Sequence, residues 1–320
     1  MTNDSATTVL VTGATGHVGS HSVERLLAEG YRVRVVVRHD AQEQDVRAFA
    51  GPSDRLEFVT AELTADDNWD KAVAGVRYVW HHASPFPSTP PQNDDEVIVP
   101  ARDGALRVLA AAGAANVRRV VLTSSYAAVG YSPKPGDHYD ESDWTNPDDD
   151  LPAYIRSKVI AERAAWQYAR EHAGAELTVI NPTGIFGPLL TDRLSASTGL
   201  VKALLEGVAL PPQVFGVVDV RDVADLHLRA MLSPAAAGER FIGVAGPPIS
   251  FAEMGQILAR HLRDLAGRVP AAEPTGDRGS RPVISNAKAR EVLGWRPREV
   301  ATTIADTADS LLRLGLVRSV

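Results

Sequence analysis

Three observations predict an α/β fold with a doubly wound parallel sheet. Short runs rich in Val, Ile and Leu alternate with longer helical patterns through the first half of the chain, as they do when crossover helices cover both faces of a sheet. Three glycines spaced three apart, Gly13, Gly16 and Gly19, join the first run to the first helical pattern. Two long stretches rich in Pro, Gly or acids, 84–92 and 132–150, break the alternation beyond strand ends, where such a sheet carries its binding loops.

Strands are predicted at 8–12, 32–37, 56–60, 76–81, 117–123 and 177–181, and their near-continuous aliphatic content suits strands buried on both faces. Helices are predicted at 18–29, 68–74, 97–115 and 152–171; the last opens on Pro152, a residue tolerated in a first turn. The order βαβαβ repeats. That is the Rossmann arrangement, whose ligands sit beyond the carboxyl ends of the strands. After residue 181 the pattern loosens into a helix at 194–205, a β run at 213–218, a helix at 220–232 and an amphipathic helix at 302–314, with proline breaks at 247–248 and 270–274. The expected division is a dinucleotide-binding domain of residues 1–181 and 213–245, with a smaller C-terminal α/β substrate lobe of residues 182–212 and 246–320.

Composition narrows the function. Of 320 residues, 44% are hydrophobic and 23% charged, ordinary for a globular chain with a large core. An excess of 40 Asp plus Glu over 33 Lys plus Arg leaves a formal charge of -7, which opposes a general nucleic-acid or anionic-membrane surface. With no cysteine, disulfides, thiolate catalysis and cysteine-ligated zinc or iron-sulfur centres are excluded. The polar amino terminus and the short apolar run after it fit neither a signal peptide nor a membrane span. A cytoplasmic protein with a small-molecule substrate is expected, without nucleic-acid, membrane or metal partners.

In the run from Thr12 to Gly19, Gly13 allows a tight turn, Gly16 lets backbone approach a pyrophosphate, and Gly19 lets helix and strand pack closely. The helix amino terminus attracts the anion. Arg38 follows the second strand, where this fold meets the adenine-side ribose. An acid there would suit the ribose hydroxyls of NAD, whereas an arginine offers a planar donor group to the 2'-phosphate of NADP. His39 and Arg34 are placed to share that task.

Thr123, Ser124 and Ser125 end the fifth strand with hydroxyls at the ligand edge. Tyr154 and Lys158 follow at helical spacing, which stacks a phenol and an ammonium on one face. A tyrosine titrates near ~10, and a neighbouring positive charge favours its phenolate, so the pair can serve as a proton donor near working pH.

Together the glycine turn, the Ser124-Ser125 strand end, Tyr154 with Lys158, and the run Asn181 to Pro188 resemble the extended short-chain dehydrogenase/reductases. Within them the likeness is to the dihydroflavonol reductase, cinnamoyl-CoA reductase and ketone/aldehyde reductase group. His82-Ala83-Ser84-Pro85, Asp140 to Trp144, Val220 to Ala224 and Leu293-Gly294-Trp295 resemble further segments in order, so coverage is nearly complete. The resemblance implies hydride transfer from NADPH to an aldehyde or ketone, with NAD as the alternative cofactor and a homodimer allowed; the apolar residues of the long loops predict an aryl or alkyl carbonyl. Tyr154 is then the proton donor, Lys158 the ribose ligand and electrostatic partner, and Ser125 the donor to the substrate oxygen. Ser125 is preferred to Ser124 because the group's serine stands five residues before a turn position, here Gly130; Ser124 is expected to face the other side. Implied cofactor contacts are Gly13, Thr15, Gly16, His17, Val18, Gly19, Arg38, Glu62, Leu63, Ala83, Ser84, Thr123, Tyr154, Lys158, Pro182, Thr183, Gly184 and Ile185.

Some positions depart from the group. His17 replaces a bulky apolar residue, Glu62 a frequent aspartate, and Asp103 an asparagine that helps a proton relay; the basic residue expected shortly after Arg38 is missing from 41–45. Asp103 is read as a solvated or capping residue outside the catalytic set. Asp148-Asp149-Asp150 is read as loop solvation, and His81-His82 lacks a third metal ligand at suitable spacing. Trp144, Tyr131, Tyr126 and Phe86 form an apolar substrate wall or anchor loops. Two other functions suit the scaffold. An NAD-dependent epimerase/dehydratase or sterol-type dehydrogenase would use the same triad, and its nucleotide-sugar members need basic residues such as Arg193, Lys202 and Arg278. A non-catalytic NADP-binding regulator commonly loses the tyrosine or the lysine, and both are present here.

Overall fold

The computed structural model of this chain describes residues 7–84, 91–270 and 281–318. Its first half alternates β1 (Thr8–Thr12), α1 (His17–Ala28), β2 (Arg32–Val37), α2 (Ala41–Ala50), β3 (Leu56–Thr60), α3 (Trp69–Val73), β4 (Tyr78–His81), α4 (Asp95–Ala114) and β5 (Arg119–Thr123). After β6 (His138–Tyr139) come α5 (Ala153–Glu171) and β7 (Glu176–Pro182). The remainder is built from β8 (Gly184–Phe186), α6 (Ala196–Leu205), β9 (Val214–Phe215), β10 (Val217–Asp219), α7 (Val220–Leu232), β11 (Arg240–Gly243), β12 (Ile249–Ser250), α8 (Phe251–His261), β13 (Val283–Ile284), α9 (Ala287–Leu293) and α10 (Val300–Arg313).

Seven strands form one parallel sheet in the order β3-β2-β1-β4-β5-β7-β11. The chain winds outward from β1 on one side and returns to β4 on the other, so a crevice opens beyond the carboxyl ends of β1 and β4. Helices cover both faces. One apolar cluster joins the sheet to α1, α7 and α9 and includes fully buried Trp80 and Trp295; the other joins it to α3, α4 and α5. A third cluster lies away from the main sheet, where Phe186 and Leu189 pack with α6, α8 and α10. Among the described residues, no helix is long and apolar enough to cross a membrane.

A buried cation ties sheet and helix together. Arg119, 1% exposed, donates from Nη1 to the carbonyls of Ala230, Met231 and Ser233 at the end of α7, and pairs with Glu176 at 2.6 Å. The terminal carbonyls carry the negative end of the helix dipole, so a guanidinium is well matched there.

Candidate active site

The site begins where β1 turns into α1. Gly13 has a φ of 71°, a left-handed conformation that side chains rarely adopt, and a Cβ on it would lie 2.9 Å from the Ala83 nitrogen. A Cβ on Gly19 would lie 2.1 Å from the Gly13 carbonyl oxygen, so α1 approaches the turn as closely as backbone permits. Among the described residues no side chain caps α1 at Gly16, which leaves its first N–H groups for an anion.

Two cavities meet at this turn. The adenine-side cavity, about 460 Å³, is lined by the glycine turn, Arg38, Glu62, Leu63, Ala83 and Ser84. Arg38 is exposed, its backbone N–H held at 2.8 Å by Gln42 Oε1, and its guanidinium forms no ion pair among the described residues. Arg34 is committed elsewhere, to Glu57 at 2.9 Å and to the carbonyls of Lys71, Ala72 and Ala74. Thus only Arg38 of the two arginines faces this cavity.

The second cavity, about 620 Å³, runs from Gly13, Gly16 and His17 past Ser125 and Tyr154 to Pro182, Thr183, Gly184 and Ile185. The Ser125 hydroxyl accepts from Ala127 N–H at 3.1 Å and hydrogen-bonds Tyr154, while the Lys158 Nζ lies 5.5 Å from the centre of the Tyr154 ring. Tyr154 is 41% exposed because its ring faces the cleft. Burial pushes its phenol above the ordinary value, and the Ser125 hydrogen bond opposes that. Burial also pushes the Lys158 ammonium down to about 8. The influence that lowers the phenol is the Ser125 hydrogen bond, whereas the sequence pattern assigns that effect to Lys158.

Ser124 has a different duty. Its hydroxyl donates to Glu162 Oε2 at 2.5 Å, and Asn181 Nδ2 donates to the same oxygen at 2.6 Å and to the Ser125 carbonyl at 3.1 Å. The other carboxylate oxygen of Glu162, a residue 1% exposed, lies 2.8 Å from Arg240 Nε. This buried network locks the end of β5 to α5, the helix carrying Tyr154. Sequence spacing gave no sign of Glu162 and Arg240, because their partners lie 19 to 78 residues away in the chain.

The structure separates the remaining expected residues. Thr123 lines neither cavity; its hydroxyl is bonded to His82 and His227 at 2.7 Å each. His17 lines the catalytic cavity, and its Nε2 donates to the Pro188 carbonyl at 3.3 Å, a use for the polar departure at this turn. Asp103 is half-buried and pairs with Arg102 at 2.7 Å. Tyr126 and Tyr131 line the catalytic cavity together with Phe215 and Ile284. Trp144 instead anchors its loop, lying 3.8 Å from the Arg240 guanidinium. Phe86 and Arg278 lie outside the described residues. Asp149 bonds Ser132 at 2.5 Å and Asn146 at 3.0 Å within its loop, and among the described residues no three His, Asp or Glu side chains gather as a metal site.

Residues 9–243 match the NAD dependent epimerase/dehydratase family. This chain belongs to that family. Among curated proteins, this family member is 32% identical to the NADPH-dependent methylglyoxal reductase GRE2 of Saccharomyces cerevisiae, over 95% of this chain and 98% of that one. It is 34% identical to cinnamoyl-CoA reductase 1 of Petunia hybrida, over 98% of this chain and 95% of that one. Among solved structures, yeast methylglyoxal/isovaleraldehyde reductase Gre2 complexed with NADPH superposes with a TM-score of 0.88 at 28% identity, covering 96% of this chain and 99% of that one. The reductase group suggested by the motifs is therefore the group in which these relatives stand.

Proposed function

We propose that this protein is an NADPH-dependent carbonyl reductase acting on small or medium apolar aldehydes and ketones. The observation that carries this reading is the hydrogen-bonded Ser125 and Tyr154 pair, backed by Lys158, on a cleft continuous with the glycine turn. The residues present fit a dinucleotide phosphate. The turn offers glycine backbone that a Cβ would block and the uncapped first N–H groups of α1 to a pyrophosphate, and Arg38 offers a guanidinium to a ribose phosphate. When bound, NADPH supplies the hydride.

The chain's own residues manage the oxygen. As negative charge grows there, Ser125 and Tyr154 donate hydrogen bonds to it, and Tyr154 delivers its proton. Lys158 favours the resulting phenolate electrostatically and would hold the nicotinamide ribose. Tyr126, Tyr131, Phe215 and Ile284 present apolar surface to the carbonyl's substituents, which supports aryl or alkyl substrates. A nucleotide-sugar reading is weaker here, since Arg193 is paired with Asp45 at 2.6 Å and Lys202 with Glu206 at 2.5 Å.

The test is paired oxidation of NADPH and NADH over a panel of aldehydes and ketones. Carbonyl-dependent loss of NADPH absorbance is expected; none across the panel overturns the reading, as does turnover of a nucleotide sugar with tightly retained NAD. We also propose a cytoplasmic enzyme with a homodimer as its candidate assembly, to be tested by cell fractionation and light scattering.

A further inference from the structure

His82 is the side chain that the catalytic scheme leaves unused at the centre of the cleft. It follows β4 and lines both the adenine-side and the catalytic cavity, as Gly13 and Gly16 do. A hydrogen-bonded chain runs behind it. His82 Nδ1 lies 2.7 Å from Thr123 Oγ1, which lies 2.7 Å from His227 Nε2, and His227 Nδ1 lies 2.8 Å from the Val223 carbonyl oxygen.

The last of these groups sets every proton in the chain. A carbonyl oxygen only accepts, so His227 Nδ1 carries a hydrogen and Nε2 of the neutral ring is an acceptor. Thr123 therefore donates its single hydrogen to His227 and accepts from His82 Nδ1–H. What remains on His82 is an Nε2 lone pair. Burial holds both imidazoles neutral, His227 at about 4 and His82 well below the ordinary value. The ring is held by its neighbours, with the His227 centroid at 4.8 Å and the Trp80 centroid at 6.1 Å. Nε2 is buried and, among the described residues, has no hydrogen-bond partner, a condition that native proteins rarely leave without a use.

We infer that His82 Nε2 is a fixed hydrogen-bond acceptor for an O–H or N–H donor on the nicotinamide-ribose half of the bound dinucleotide. This rests on the proposed NADPH site. Since the acceptor character is imposed by Val223 through two other side chains, His82 is a cofactor-positioning residue whose polarity is set from 141 to 145 residues away in the chain.

The experiment compares His82→Leu, His82→Gln and Thr123→Val with wild type by calorimetric binding of NADPH and of adenosine 2',5'-diphosphate, which lacks the nicotinamide half. Leu removes the acceptor, while the Gln amide oxygen retains one near Nε2. His82→Leu should weaken NADPH about tenfold and leave the adenosine diphosphate unchanged; His82→Gln should recover most of the loss, and Thr123→Val should fall between. Ring-nitrogen NMR should find His82 protonated on Nδ1 and its Nε2 resonance displaced by NADPH. With nicotinic acid adenine dinucleotide phosphate, persistence of the Leu penalty assigns the donor to a ribose hydroxyl, and its disappearance assigns it to the carboxamide; both uphold the inference. Unchanged NADPH affinity in His82→Leu, an equal loss for both ligands, or a proton on Nε2 overturns it. Failure of wild type to bind either ligand instead overturns the NADPH site itself.

Discussion

The two sides of the cleft are made differently. On the cofactor side, a seven-stranded parallel sheet delivers backbone to the ligand, through Gly13, Gly19 and the uncapped start of α1. On the substrate side, the walls come from strands of two or three residues, with β9 paired to β12, β10 to β8 and β13 to β6, and the contacts are side chains such as Tyr131, Phe215 and Ile284. Backbone geometry tolerates few substitutions, because a single added Cβ collides with it. A wall assembled from side chains on separate loops changes shape without disturbing the sheet. Cofactor chemistry and substrate choice should therefore be separable by mutation, with the catalytic pair at the seam.

Tyr154→Phe gives the largest expected effect. Losing one positioned proton donor costs on the order of 10³-fold in kcat, yet the ring and its packing persist, so NADPH affinity should stay near wild type by titration. An equal loss of binding and turnover would mean that the seam is not chemically distinct from the cofactor side. Arg38→Ala comes next. Charged hydrogen bonds to a phosphate are worth ~10–100-fold in affinity, so NADPH binding should fall by that factor while NADH binding changes little, and the ranking of carbonyl substrates should be preserved. A changed ranking at constant cofactor preference would break the proposed separation.

Legibility in the sequence follows the same division. The first three strands have the bounds that aliphatic runs predict, whereas β4 and β5 start two residues late, because Val76 and Val117 close turns onto Val73 and Ala112 at 3.1 and 3.0 Å. The α2 helix escaped the pattern since its buried residues are only Gln42 and Val46, too short an apolar stripe to establish a period. Two-residue strands such as β12 and β13 owe their existence to pairing partners, so they have no local signature. At the site, Tyr154 and Lys158 were legible because one helical turn brings them together. His82, Thr123 and His227 were not, since their bonds span 41 and 104 residues and only the finished sheet makes them neighbours.

On the substrate side, Phe215→Ala should raise KM for aryl ketones by ~10-fold, the scale on which apolar pockets discriminate. It should have little effect on small aliphatic aldehydes and none on the NADPH-to-NADH preference. Steady-state kinetics over one aryl and one alkyl substrate with both cofactors reads all of these at once. A Phe215→Ala variant that altered cofactor preference would show that the two sides are mechanically coupled.

The smallest expected effect concerns Lys158, which belongs to the cofactor side but lies behind the seam. Burial lowers its ammonium from 10.5 to about 8, so between those values the native protein binds fewer protons than the unfolded chain. Stability then rises with pH across that window, and the gain is lost progressively as pH falls from 10.5 to about 8. Lys158→Met has no such group to titrate. Chemical denaturation of the cofactor-free proteins at several pH values should therefore favour the variant increasingly as pH is lowered from about 10.5 to about 8, and the gap should level off below. Parallel pH profiles would mean that solvent reaches the ammonium freely, and the rigid cofactor side would then extend less far toward the seam than its packing implies.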